Sequence, residues 1–116
     1  MIIIDDNTLN IAVLESYCKK AQVNYYSFSS SSEFVSNMGI IKKEDEYICL
    51  IDLYMPLIDG FELGRRIRAV HKSIKIVAVT GADKDSVRDA ALLSGINEVV
   101  EKPIAYKRFE QLLVAV

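Results

Sequence analysis

Five short apolar runs alternate with five stretches of helical spacing, and no other feature of the chain restricts its fold as strongly. The runs are Ile2–Ile4, Tyr25–Phe28, Tyr47–Ile51, Ile74–Val79 and Val99–Val100. After the first, Ile11, Leu14 and Cys18 recur at i, i+3 and i+7, with Val13 and Tyr17 widening the stripe. Leu63, Ile67 and Val70 repeat the pattern, followed by Val87, Ala90 and Ala91, then by Phe109, Leu112, Leu113 and Val116. The serines at 30–32 signal a short second helix ending near Met38-Gly39, and Gly95 sits where a helix terminus is expected after Ser94. Strand-then-helix repeated five times predicts one α/β domain over residues 1–116, built on a parallel sheet.

The strand compositions predict the order of that sheet. Ile2–Ile4, Ile48–Ile51 and Ile76–Val79 are apolar on consecutive residues, as strands covered on both faces should be. Residues 24–28 and 97–101 mix polar with apolar side chains and suit the edges. Right-handed crossovers then give the order 2-1-3-4-5, a doubly wound, flavodoxin-like arrangement with helices on both faces. The direction of winding reverses between strands 1 and 3, so a site is expected beyond their carboxyl ends.

Composition narrows the function classes. The 116 residues are 51% hydrophobic with a net charge of -2. A chain of this size buries roughly two-thirds of its unfolded surface, enough for its own core. The mild acidity gives no electrostatic reason for direct nucleic-acid or membrane binding. No run approaches the ~20 apolar residues of a spanning helix, and residues 1–4 are too short for a signal segment. Cys18 and Cys49 form no CxxC pair and read as buried free thiols. A cytoplasmic domain, monomeric or weakly dimeric, is the expectation.

Chemistry gathers at the strand ends. The first strand runs into Asp5-Asp6, the third into Asp52, the fourth into Thr80, and the fifth is followed by Lys102-Pro103. Each has a plain alternative: Asp5, Asp6 or Asn7 can cap the first helix, and Asp52 can cap a turn before Pro56. Together they suit one site. Clustered carboxylates raise one another's pKa, and an all-oxygen set answered by Mg²⁺ removes the conflict. An Asp beside such an ion can attack phosphorus and form an aspartyl phosphate, with metal and lysine neutralising the transferring phosphoryl group.

These residues resemble the receiver domain of the two-component response-regulator family along nearly the whole chain. Residues 2–7, Ile-Ile-Ile-Asp-Asp-Asn, resemble its first strand and acidic pair. Residues 52–60 fit the pattern D-x-x-M-P-x-x-D-G, residues 77–81 the strand ending in Thr and a small residue, and Lys102-Pro103 the turn after the last strand. The resemblance implies that Asp52 is the phosphoacceptor and that Asp5, Asp6, Asp52 and the backbone carbonyl of Tyr54 hold Mg²⁺. It implies that Thr80 and Lys102 contact the phosphoryl group and that the Lys102-Pro103 bond is cis. A histidine kinase or histidine phosphotransfer protein is the implied donor. No separate substrate is implied, only self-catalysed phosphorylation and slow hydrolysis. The run from Asp5 to Asn10 resembles receivers of hybrid sensor kinases, and both a stand-alone regulator and a piece of a longer protein fit.

One departure stands out. Val99 occupies the position where the family usually has Tyr or Phe, whose rotamer reports phosphorylation; a valine has little χ1 range. Phosphorylation is still expected to repack the face of the fourth helix, fifth strand and fifth helix through Thr80. A receiver-like interaction module that is not phosphorylated is the alternative. An aspartate phosphohydrolase wants a second Asp where Tyr54 stands. Tyr54 and Ala82 flank the acid site, and the ring at 54 is expected to shield an acyl phosphate. His71 is expected on the surface, Arg65, Arg66 and Arg68 on an exposed helix face, and Lys42–Glu46 in a solvated connection.

Overall fold

A computed structural model describes residues 1–41 and 46–113. The strands are β1 (Ile2–Ile4), β2 (Tyr26–Phe28), β3 (Ile48–Asp52), β4 (Lys75–Thr80) and β5 (Glu98–Glu101). The helices are α1 (Thr8–Lys20), α2 (Ser31–Ser36), α3 (Gly60–Val70), α4 (Lys84–Leu93) and α5 (Tyr106–Leu113), with one 3-10 turn at Met38–Ile40. All strand pairs are parallel and the order is β2-β1-β3-β4-β5. The expected interior and edge strands are therefore the observed ones.

Alternation along the strands divides the core into two layers. Ile2, Ile4, Cys49, Ile51, Ile76, Ala78 and Val99 meet Phe34 of α2, Leu63 and Ile67 of α3, and Val87 and Ala91 of α4. Ile3, Leu50, Val77, Val79 and Val100 meet Ile11, Leu14 and Cys18 of α1 and Phe109 and Leu112 of α5. Both cysteines are buried free thiols. No helix among the described residues is long and apolar enough to cross a membrane.

Side-chain caps start four of the helices. Asn7 accepts from Leu9 and Asn10, Ser30 from Glu33, Asp59 from Glu62 and Asp83 from Asp85. At the end of α4, Gly95 adopts φ +88° while its N–H and that of Ile96 bond back to Leu92 and Ala91. The end of α1 repeats this pattern with Gln22 at φ +58°, a left-handed position that costs a residue with a Cβ.

Several expectations need correction. Val13 and Val70, placed on apolar stripes by their spacing, are each 45% exposed, and Ala90 is exposed too. Spacing identifies a helix face but not how much of it the sheet covers. His71 is not on the surface: it is 3% exposed. It closes α3, and its Nδ1 accepts from the N–H groups of Ser73 (3.3 Å) and Ile74 (3.0 Å). The chain turns from α3 into β4 within a few residues, and the imidazole satisfies amides that the turn leaves without a strand partner.

Arg68 also leaves the exposed face. Its guanidinium donates to the carbonyls of Gly95 (2.8 and 3.0 Å), Ile74 (2.6 Å) and Lys72 (3.0 Å), and to Asn97 Oδ1 (2.7 Å). It ties the end of α3 to the entry of β5. Arg65 and Arg66 do stay exposed and pair with Glu62. Residues 42–45 of the expected charged connection, and Val116 of the last stripe, lie outside the described residues.

Candidate functional site

The sheet order brings the carboxyl ends of β1 and β3 side by side, because Ile4 pairs with Ile51. Asp5 follows β1 directly, and its N–H continues the ladder to Phe28 O at 3.1 Å. Its carboxylate is buried and accepts the N–H of Asn7 at 2.8 Å. Asn7, not Asp5 or Asp6, caps α1, so both acidic side chains are released from that role. Asp6 is exposed. Asp52 is the last residue of β3, 7% exposed, and its Oδ1 lies 3.4 Å from the N–H of Tyr54. One oxygen from each of Asp5, Asp6 and Asp52 falls within 4.8 Å of the others.

Lys102 enters from the other side. Its N–H donates to Thr80 O at 2.7 Å, which carries the β4–β5 pairing one step past Glu101. Its Nζ stands 3.1 Å from Asp5 Oδ2 and 3.4 Å from Asp52 Oδ2. The Lys102-Pro103 bond is cis, as the resemblance implied. Thr80 lies one residue beyond Val79, the partner of Asp52 across the ladder, and its buried hydroxyl accepts the N–H of Ala82 at 3.1 Å. Tyr54 is 57% exposed, with its ring set edge-on against Phe61 at 6.2 Å. Val99 is buried in the layer beneath α4.

One ammonium is shared by the two buried carboxylates Asp5 and Asp52, and the imbalance shows at Asp52. Burial, then the charge of Asp5, push its carboxyl from the ordinary 3.8 up to about 6, although Lys102 and the Tyr54 N–H pull the other way. A hard divalent cation among these oxygens would remove the repulsion. The donor set therefore fits Mg²⁺: carboxylates only, one of them open to water, with no sulfur or imidazole in the cluster.

Three residues support the site in roles that the sequence reading did not give them. Gly60 starts α3 so close to β3 that a Cβ there would lie against the Asp52 carbonyl oxygen and 2.6 Å from Leu53 Cα; its N–H bonds Leu53 O at 2.8 Å. The buried Ser31 hydroxyl donates to Pro56 O at 3.3 Å and holds the loop that follows Asp52. Leu57, in that loop, is 91% exposed at φ +70°. Only the Asp59-Gly60 pair carried a signal, as part of the motif; the steric reason for it needs the helix in place.

A parallel sheet in this order, with an acidic trio and a lysine beyond the carboxyl ends of its strands, defines a class of doubly wound α/β domains with a charged site at the switch point. The chain belongs to the response regulator receiver domain family, whose sequence model matches residues 1–114. It is 29% identical over 113 residues to the response regulator MprA of Mycobacterium avium, covering 97% of this chain and 47% of that protein. The chain thus spans about half the length of the curated relatives it matches. Among solved structures it is similar to the receiver domain of the sensor histidine kinase PA1611 from Pseudomonas aeruginosa. That likeness has a TM-score of 0.80 and 23% identity over 97% of this chain and 91% of that one; the structure contains a magnesium ion in its active-site cleft. It is also similar to a Saccharomyces cerevisiae complex of the histidine phosphotransfer protein Ypd1 with the receiver domain of Ssk1. There the TM-score is 0.82 and the identity 25%, over 96% of this chain and 83% of that one.

Proposed function

We propose that this chain is a single phosphoacceptor receiver domain in which Asp52 takes a phosphoryl group from a phosphohistidine on a histidine kinase or phosphotransfer protein. The observation that carries the reading is the buried Asp52 carboxylate, held between Asp5 and the Lys102 ammonium at the mouth of the β1–β3 crevice. A carboxylate oxygen of Asp52 forms the bond to phosphorus as the bond from phosphorus to the donor imidazole breaks; the bond's electron pair stays on that ring nitrogen, and the imidazole, which carries a proton on its other nitrogen, leaves as the neutral base. Lys102 stays charged and balances the phosphoryl oxygens. Thr80, at the end of β4, offers its hydroxyl hydrogen to the same group.

Asp5, Asp6, Asp52 and the Tyr54 carbonyl would hold Mg²⁺, which when bound neutralises carboxylate and phosphoryl charge. The chain performs only its own phosphorylation and slow hydrolysis, and no separate substrate is needed. A cytoplasmic setting suits the buried free thiols. The signal leaves through the α4–β5–α5 face: Thr80 O bonds Lys102 N–H and Thr80 Oγ1 bonds Ala82 N–H, so a shift of Thr80 pulls on both flanking loops without an aromatic ring at 99.

Intact mass after incubation with acetyl phosphate tests the reading. Wild type should gain one phosphoryl group with Mg²⁺ and none with a chelator, and Asp52→Asn should gain none. No gain in wild type that binds Mg²⁺ would overturn it. Identical amide shifts across residues 80–108 in the two phosphorylation states would remove the output face.

A further inference from the structure

We propose that Tyr17 is a positioning residue for Lys102, an inference that rests on the phosphoryl-acceptor reading above. Lys102 must place its ammonium against Asp5 and Asp52, and its backbone is secured on one side by Thr80 O. On the other side the chain crosses residues 103–105 before α5 begins at Tyr106, with no strand ladder to hold it. There the Tyr17 hydroxyl donates to Ile104 O at 2.9 Å, across 87 residues of sequence. The Ile104 side chain is buried in the layer shared by α1 and α5.

The hydroxyl is itself aimed. The Tyr17 ring packs edge-on against Tyr106 at 5.3 Å and tilted against Phe109 at 5.4 Å. Lys20 caps the Tyr106 ring, its Nζ 4.2 Å from the centroid. Rings locked this way leave the phenol one direction in which to bond. The consequence lies in the route of the chain. The helix that carries Tyr17 starts three residues after Asp5, so a single rigid element sits between the acidic pair and the turn that follows Lys102. Tyr17 therefore ties the cationic half of the site to the anionic half, and a small misplacement of a charged group is costly to transfer.

Tyr17→Phe keeps the ring and removes only the bond to Ile104. At saturating Mg²⁺ it should slow phosphoryl uptake from acetyl phosphate by roughly 3- to 10-fold. In a Lys102→Ala background, where uptake is already slow, Tyr17→Phe should add no further slowing. Equal slowing in both backgrounds would mean a purely structural role and would overturn the inference, as would wild-type kinetics in Tyr17→Phe. A second readout does not need phosphorylation. In metal-free protein, Tyr17→Phe should move the Lys102 Cε–Hε resonance and leave the Asp6 amide in place. If wild type takes no phosphoryl group, the underlying reading fails, and this resonance still decides: moved, Tyr17 positions Lys102; unmoved, it does not.

Discussion

Asp52→Asn should make the metal-free protein more stable, although it removes the proposed phosphoacceptor. The carboxyl of Asp52 is raised in the fold from 3.8 to about 6, chiefly by burial and by Asp5. The native state therefore binds the proton more tightly than the unfolded chain does. Stability from this group is present below pH ~4 and is lost as the pH climbs through ~6. At ~1.4 kcal/mol per pKa unit, the ionised side chain costs the native state on the order of 3 kcal/mol at pH 8. Asparagine has the same shape and no charge to strand. At about 3–6 °C per kcal/mol for a domain of this size, Asp52→Asn should melt about 9–18 °C higher in EDTA at pH 8. The gap should shrink towards pH 4.5, where wild type is protonated. Millimolar Mg²⁺ should also narrow it, because an ion that binds the native carboxylates stabilises wild type selectively. Calorimetric melts of both proteins from pH 4.5 to 8, with EDTA or Mg²⁺, measure all of this. A gap that ignores pH, or an Asp52→Asn protein less stable at pH 8, would refute the reasoning.

Other consequences follow from single side chains. Arg68→Ala removes donors to four carbonyls (Gly95, His71, Lys72 and Ile74) and to Asn97 and should cost about 2–4 kcal/mol in urea denaturation, whereas Arg66→Ala should leave the midpoint unchanged. Gln22→Gly relieves a left-handed Cβ at the end of α1 and should add about 0.5–1 kcal/mol by the same measurement. Tyr54→Ala removes the ring that stands two residues after Asp52 and packs on Phe61 and should shorten the lifetime of the acyl phosphate several-fold, read by intact mass against time; an unchanged decay would release Tyr54 from a shielding role.

Much of the architecture was legible because it is written in local composition. Ile2–Ile4, Ile48–Ile51 and Ile76–Val79 can only be covered on both faces, and the mixed runs around Tyr26 and Glu98 can only be edges; the order follows. The site was legible for the same reason: Asp5, Asp6, Asp52 and Lys102 each terminate or follow a strand, and a parallel sheet brings those ends together. What stayed hidden depends on how charged and polar side chains are used once the chain turns. Arg68 and His71 read as surface residues, but the turn from α3 into β4 gives His71 the amides of Ser73 and Ile74, and Arg68 gains Ile74 O there together with Gly95 and Asn97 ahead of β5. Tyr17 looked like one more apolar-stripe residue until Ile104 came within reach of its hydroxyl. Gly60 lay inside a recognisable motif, yet its need for a missing Cβ appears only when α3 lands on β3.

Site-resolved chemistry at residue 52 tests the central claim most directly. Protein treated with acetyl phosphate and Mg²⁺ would be reduced with borohydride, which converts an acyl phosphate to an alcohol, and then mapped by peptide mass spectrometry. The account predicts homoserine at position 52 and nowhere else, with none formed when Mg²⁺ is withheld. Label at another carboxylate, or an unmodified Asp52 in protein that has bound Mg²⁺, would contradict it.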